Sequence, residues 1–152
     1  MERLKLRTRL QQLHDFLSNS RYALEKVNGT VRNKSVNDLL FTMACRRLIM
    51  VNMLDRELGT LAVPNKKGPE AEVFFKRYVA GPEDRSETDV AAGCMTVCEH
   101  EEDLLRGGLE EMMFEPGLSG RTRQMISELI DQVRENLADL RFIKGNLSAL
   151  RA

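Results

Sequence analysis

The sequence predicts an all-helical fold, and three observations support this prediction. Leucine, isoleucine, valine and methionine recur at steps of three, four and seven residues, which is the spacing of one face of an α-helix. Tryptophan is absent and aromatic residues make up 5% of the chain, so leucine and eight methionines must fill most of the interior. No segment shows the two-residue alternation of a half-buried strand. With 152 residues, the chain has the length of a single domain, predicted over residues 1–152.

Two long helices are predicted in the first half of the chain. The first runs over about residues 2–29 on a stripe of leucines, and an Asn-Gly pair favours a stop at its end. The second runs over about residues 36–61 on a stripe of leucine and methionine. Serine and asparagine are common N-cap residues, so Ser35 or Asn37 is expected to cap the start of this second helix.

The second half of the chain is predicted to contain a linker, one short helix and two long helices. Two prolines and a glycine mark residues 62–69 as a linker, and a short helix over about 70–79 follows. A capping sequence at 86–89 begins the third long helix, which extends to about Phe114. The fourth runs over about 121–144, where Gly145-Asn146 is expected to end it.

The connections between these helices predict how they are arranged. The first and second helices are joined by a short turn, as are the third and fourth, so each pair should form an antiparallel hairpin. The long connection between the second and third helices contains the short extra helix. An antiparallel four-helix bundle with one such crossover has the ferritin-like arrangement.

Charged residues interrupt two of the apolar stripes. Arg47 lies at the heptad step between Met43 and Met50, and Glu101 falls in a gap of the third helix's stripe. Both side chains could rotate outward, since a long arginine often reaches solvent from such a position. Alternatively they face each other inside the bundle, because a planar guanidinium binds carboxylates bidentately. The candidate electrostatic network consists of Glu25, Arg46, Arg47, Glu99, Glu101 and Glu102.

The cysteines and the charge balance narrow the class of protein. Cys94 and Cys98 lie one turn apart on an apolar face and are interpreted as core residues, with a soft-metal or redox site near His100 as the alternative. Three cysteines without the spacing of a disulfide scaffold predict a reduced, cytoplasmic protein. Basic and acidic residues balance at 23 each, which favours neither nucleic acid nor an anionic membrane as partner.

Self-association is the interaction that the composition favours. Helices rich in methionine and poor in aromatic residues, with balanced charge, could bury one face in a homodimer or a higher oligomer. The candidate surfaces are the apolar groups at 112–114 and 74–78. Both could equally pack within one chain.

Three short segments resemble a bacterial ferritin-like family known as domain of unknown function 2383. Residues 19–26 are similar to its first-helix Asp-Ser-x-x-Gly-Tyr-Glu-Lys segment, and 98–103 to its Cys-Glu-x-x-Glu-Asp signature. Leu40-Phe41, Ala44, Arg46-Arg47 and Leu58-Gly59 look like its second helix. The resemblance implies a ferritin-like fold and leaves the biochemical role open.

The sequence departs from that family where a metal site would lie. Members of the family often carry a histidine near the middle of the fourth helix, but no histidine follows His100 in this chain. On the second helix, Arg46 and Arg47 stand where a carboxylate ligand is expected. We therefore predict a non-catalytic bundle without a cofactor, in which arginine and glutamate replace a di-iron centre. The alternative is an iron- or zinc-binding protein with an oxidase-type or stress-related role and an incomplete ligand set. The candidate ligands are Glu25, Glu99, His100 and Glu102.

Overall fold

A computed structural model describes residues 3–59 and 87–151 of the chain. These residues form four long helices and contain no strand, which confirms the all-helical prediction. The linker and the short helix predicted over 62–79 lie outside the described residues. The helices are α1 (Arg3–Asn28), α2 (Lys34–Leu58), α3 (Glu87–Met113) and α4 (Gly120–Arg151).

The start of α2 differs from the prediction by two residues. Its cap is Asn33, which has an extended backbone and whose side-chain oxygen accepts a hydrogen bond of 3.1 Å from the Val36 amide. Ser35 lies inside the helix, and the Asn37 side chain donates to the carbonyl of Val31 in the preceding turn. Asn37 therefore holds the α1–α2 turn in place and does not cap the helix. At the other end, Gly59 takes the left-handed conformation (φ 62°), which glycine adopts without strain.

The predicted end of α4 at Gly145-Asn146 is wrong. The helix continues through this pair, and Leu147 is buried in the same apolar cluster as Leu140. A glycine inside a helix costs roughly 1 kcal/mol, whereas burying a leucine side chain contributes about 1.5–3 kcal/mol. Tertiary packing of Leu147 therefore outweighs the local preference of Gly145.

The helices pack as two hairpins that lie against each other through α2 and α4. Arg46 contacts Asp139 and Glu57 contacts Thr122, so α2 and α4 are antiparallel. On the other side of the bundle, Arg9 of α1 binds Glu115, which follows the end of α3. Since α1 and α2 form a hairpin and α3 and α4 form another, α2 and α3 run in the same direction on opposite sides of the axis.

The buried side chains form two apolar clusters, one in each half of the bundle. The cluster near the α1–α2 turn includes Leu24, Leu40, Met95 and Leu140. The cluster near the α3–α4 turn includes Leu17, Leu54, Leu109 and Leu129. Between the two clusters lies a layer of polar side chains.

Among the described residues, none of the helices combines the length and the hydrophobicity of a membrane-spanning segment.

Candidate functional site: a buried polar layer

Each helix contributes one fully buried polar residue to the layer between the two clusters. The four residues are Ser20 on α1, Arg47 on α2, Glu102 on α3 and Asn136 on α4, all 0% exposed. Each lies seven residues from an apolar residue on either side, so each interrupts a heptad series of its own helix. The series are Leu13–Ser20–Val27, Leu40–Arg47–Leu54, Met95–Glu102–Leu109 and Leu129–Asn136–Ile143.

The Arg47 guanidinium is the centre of this polar layer. Its Nε donates to Ser20 Oγ at 3.0 Å, and its Nη1 lies 3.8 Å from the sulfur of Met50. Its Nη2 donates to Glu102 Oε1, and its Nη1 donates to Glu102 Oε2 at 3.4 Å. The guanidinium thus forms a bidentate pair with one carboxylate, the geometry in which arginine binds carboxylates most favourably.

Glu102 is held from a second side by Asn136. The Asn136 amide nitrogen donates to Glu102 Oε2 at 3.4 Å, and its carbonyl oxygen accepts from Arg46 Nη1 at 2.8 Å. Arg46 also binds Asp139 Oδ2 at 2.8 Å and lies 3.6 Å from Glu135 Oε2. Hydrogen bonds therefore connect the fully buried ion pair to partly exposed charged side chains between α2 and α4.

Because this ion pair is fully buried, its contribution to stability depends on how completely its polar atoms are hydrogen-bonded. Removing two charges from water costs several kcal/mol for each ion, and their attraction offsets this only when the remaining hydrogen-bonding capacity is satisfied. Here Ser20 and Asn136 supply additional partners to Arg47 and Glu102 respectively. Arg47, Glu102 and their two partners come from four different helices, so all of these hydrogen bonds form together only when the four helices are in this register.

Cys94 and Cys98 lie beside this network as buried thiols. Both are 1% exposed, which is the core position that the sequence predicts. A hydrogen bond with Cys94, burial and the nearby carboxylate of Glu102 raise the pKa of Cys98 well above its ordinary value. A raised pKa keeps the thiol protonated, and a protonated thiol is a poor nucleophile and a poor metal ligand.

The structure does not bring Glu25 and Glu99 into the network with which the sequence grouped them. Glu25 points to solvent and pairs with Arg21 on its own helix, with Arg21 Nε 3.1 Å from Glu25 Oε1. Glu99 faces α4, where Arg141 Nε and Lys144 Nζ each lie 3.2 Å from its carboxylate. Both glutamates find cationic partners at the surface, where burial of the charge is unnecessary.

His100 and Glu101 also lie outside the ion pair. His100 is exposed on the outer face of α3. Glu101 is buried, 6% exposed, but on the side of α3 that faces α1. It lines a groove of about 260 Å³ together with Arg9, Phe16 and Leu104.

The apolar stripe of the third helix predicted Glu101 as the inward carboxylate, whereas the structure places Glu102 against Arg47. Met95 is 0% exposed and lies two turns before Glu102 on the same face, as Leu109 lies two turns after it. Including Met95 moves the centre of the buried arc toward Glu102. The same heptad test identifies Ser20 and Asn136, which were not among the residues predicted from the sequence.

The proposed metal ligands do not form a cluster. Glu25, Glu99, His100 and Glu102 point in separate directions, and Glu102 is bound by Arg47. Within the described ranges, no three histidine, cysteine, aspartate or glutamate side chains are grouped so that they could hold a metal ion.

A second buried polar contact joins the two helices of the first hairpin. His14 on α1 is 4% exposed, and its Nε2 lies 2.7 Å from Oδ1 of Asp55 on α2. The contact lies in the half of the bundle that contains Leu17 and Leu54. It connects only α1 and α2, in contrast to the four-helix layer around Arg47.

Comparisons with protein-family models, with curated proteins and with solved structures find no match to this chain. The resemblance to the family known as domain of unknown function 2383 therefore stays a prediction. The function has to be inferred from the geometry of the polar layer.

Proposed function

We propose that this chain is a non-catalytic ferritin-like bundle whose core holds an arginine–glutamate ion pair where di-iron relatives hold metal. The described helices support the ferritin-like assignment, since two antiparallel hairpins with parallel α2 and α3 require one long crossover. Residues 59–87 connect α2 to α3 and are long enough for such a crossover. The resemblance to domain of unknown function 2383 is part of the same proposal.

The observation that supports the non-catalytic role most directly is the saturation of Glu102. Both of its oxygens accept hydrogen bonds from Arg47, and Oε2 also accepts from Asn136. A di-iron site requires a glutamate from each of two helices and a Glu-x-x-His pair from each of the other two. The residues around Glu102 do not fit that requirement, because a cationic guanidinium occupies the space facing the carboxylate.

The proposed role is structural, and we propose a second copy of the same chain as the partner. Most soluble oligomers are symmetric assemblies of identical copies, and two-fold dimers are the commonest of them. All three cysteines are free thiols, which suits a reducing, cytoplasmic environment.

Elemental analysis tests the proposed absence of a metal centre. The protein is purified from cells grown with added iron and zinc, and the metal content per chain is measured by mass spectrometry. We expect both metals to be far below one atom per chain, in the wild type and in a Glu102→Gln variant alike. One iron or zinc per chain, lost in Glu102→Gln but kept in an exposed control such as Glu128→Gln, would overturn the proposal in favour of a metal-binding bundle.

A further inference from the structure

The outer face of α2 carries exposed apolar side chains over three turns. Phe41 is 64% exposed, Leu48 is 39% exposed and Ile49 is 49% exposed, and Cys45 between them is exposed as well. The spacing of these residues (i, i+4, i+7, i+8) places them on one side of the helix. Exposed apolar side chains grouped in this way mark an interaction surface more often than scattered single ones do.

The middle of this face carries no charge because both arginines in that part of α2 are used elsewhere in the bundle. Between Asp38 and Asp55 the only charged residues of α2 are Arg46 and Arg47. Arg47 is fully buried against Glu102, and Arg46 lies along α4 with its side chain 19% exposed. The two arginines that could have made the middle of α2 hydrophilic therefore both point away from its outer face.

Opposite charges flank the apolar face at its two ends. Asp38 and Arg56 are separated by 18 residues, or five full turns, so they lie on the same side of α2 about 27 Å apart. The Asp38 side chain is 70% exposed and forms an ion pair at 3.7 Å with Lys34, which is itself 93% exposed. Arg56 is exposed and donates to the carbonyl of Asn52 at 3.5 Å.

This charge pattern is complementary to itself in one orientation. If a second copy of α2 packs antiparallel on the first, with the two-fold axis level with residue 47, Asp38 faces the partner's Arg56 and Arg56 faces the partner's Asp38. Cys45 then lies opposite the partner's Ile49. A parallel arrangement would instead bring like charges together at both ends. Isologous pairing of one surface with itself is the commonest way in which soluble proteins dimerise.

We propose that the outer face of α2 is the two-fold interface of a homodimer of this chain, with Asp38 and Arg56 setting the antiparallel register. This interface rests on the self-association that is part of the proposed function. The metal content does not depend on it, so the metal-free bundle and the dimer can each fail without the other.

Sedimentation equilibrium over a wide concentration range tests the proposal with two matched variants. The wild type is expected to form a species of twice the 17.3 kDa chain mass. Ile49→Glu, which adds a charge at the centre of the face, should yield only the monomer with an unchanged helix signal. Leu104→Glu changes a residue on α3 that is 61% exposed, and it should leave the dimer intact.

A charge exchange tests the register. Asp38→Arg alone and Arg56→Asp alone each place like charges opposite one another at both ends, and each should weaken the dimer about tenfold. The double variant with both changes restores opposite pairs and should return the dissociation constant to within about twofold of the wild type. Because Asp38 and Arg56 are both exposed in the monomer, none of these variants should alter folding.

Protection of Cys45 gives an independent readout. In the dimer its thiol is covered, so its alkylation should slow as the protein concentration rises, and this slowing should be absent in Ile49→Glu. A wild type that is monomeric at all concentrations would overturn the proposal. So would a dimer that survives Ile49→Glu, or single charge exchanges that weaken the dimer without recovery in the double variant.

Discussion

Arg47 on α2 and Glu102 on α3 form a fully buried ion pair across the axis of the bundle. The neighbours of α2 are α1 and α4, so the guanidinium reaches past both to the opposite helix. Ser20 and Asn136 complete the layer from the two remaining helices. One pair of charges therefore connects all four helices at one level, and the stability of the fold should depend on it in a specific way.

Removing only the cation should destabilise the protein strongly. Arg47→Met keeps an unbranched apolar side chain at this position but leaves Glu102 buried without its countercharge, so we expect a loss of about 3–5 kcal/mol in the free energy of unfolding. That is a large fraction of the stability of a typical domain. Urea unfolding followed by circular dichroism measures it.

The double variant Arg47→Met/Glu102→Leu is the matched control for this prediction. It replaces both charges with apolar groups of similar size, and buried pairs replaced in this way often leave stability unchanged or raised. We expect it to recover more than half of the loss. Equal stability of Arg47→Met and the wild type would show that the ion pair has no structural role.

Asn136 should stabilise the folded protein through two hydrogen bonds. Asn136→Leu keeps the shape of the side chain but removes the donor to Glu102 and the acceptor of Arg46 Nη1. A buried carboxylate that loses a partner costs about 1–3 kcal/mol, and we expect a loss in that range. Gln124→Leu, an exposed change on the same helix, should stay within about 0.5 kcal/mol of the wild type. Similar values for the two variants would contradict the network.

The three cysteines should differ sharply in reactivity. In dilute native protein at about pH 8, we expect one thiol to react rapidly with a disulfide reagent, because Cys45 is exposed while Cys94 and Cys98 are buried. The Cys94 hydrogen bond and burial raise the pKa of Cys98, which lowers its thiolate content further. All three should react in denaturant, and Cys45→Ser should abolish the rapid phase. A rapid phase that persists in Cys45→Ser would place a reactive thiol in the core.

The raised pKa of Cys98 also predicts a dependence of stability on pH. In the unfolded chain this thiol loses its proton near its ordinary pKa, whereas in the folded protein it stays protonated to higher pH. Its contribution to stability is therefore complete below the unfolded pKa and is lost as the pH rises toward the folded pKa. Cys98→Ala should reduce the fall in unfolding free energy above about pH 9, by at most about 1.4 kcal/mol per pH unit. Urea unfolding at several pH values measures this, and an equally steep fall in both proteins would contradict the prediction.

The prediction from sequence succeeded where the apolar pattern alone decides the structure. Four helices and the buried position of Cys94 and Cys98 follow from leucine and methionine spacing. It failed where neighbouring helices decide the rotation of a residue. Both Glu101 and Glu102 are buried on α3, and only the packing of the four helices places Glu102, and not Glu101, against Arg47. In the same way, the packing of Leu147 outweighs the local preference of Gly145 to end the helix.

The last turns of α4 should contribute to the stability of the whole bundle. Leu147 is 3% exposed and packs in the cluster that contains Leu140, Val36 and Leu40. Leu147→Ala should therefore cost about 2–4 kcal/mol, because truncating a buried leucine loses transfer free energy and leaves a cavity. Asn146→Ala, an exposed change one residue earlier, is the control and should stay within about 0.5 kcal/mol. If α4 ended at Gly145 in solution, Leu147 would be solvated and the two variants would unfold at the same urea concentration.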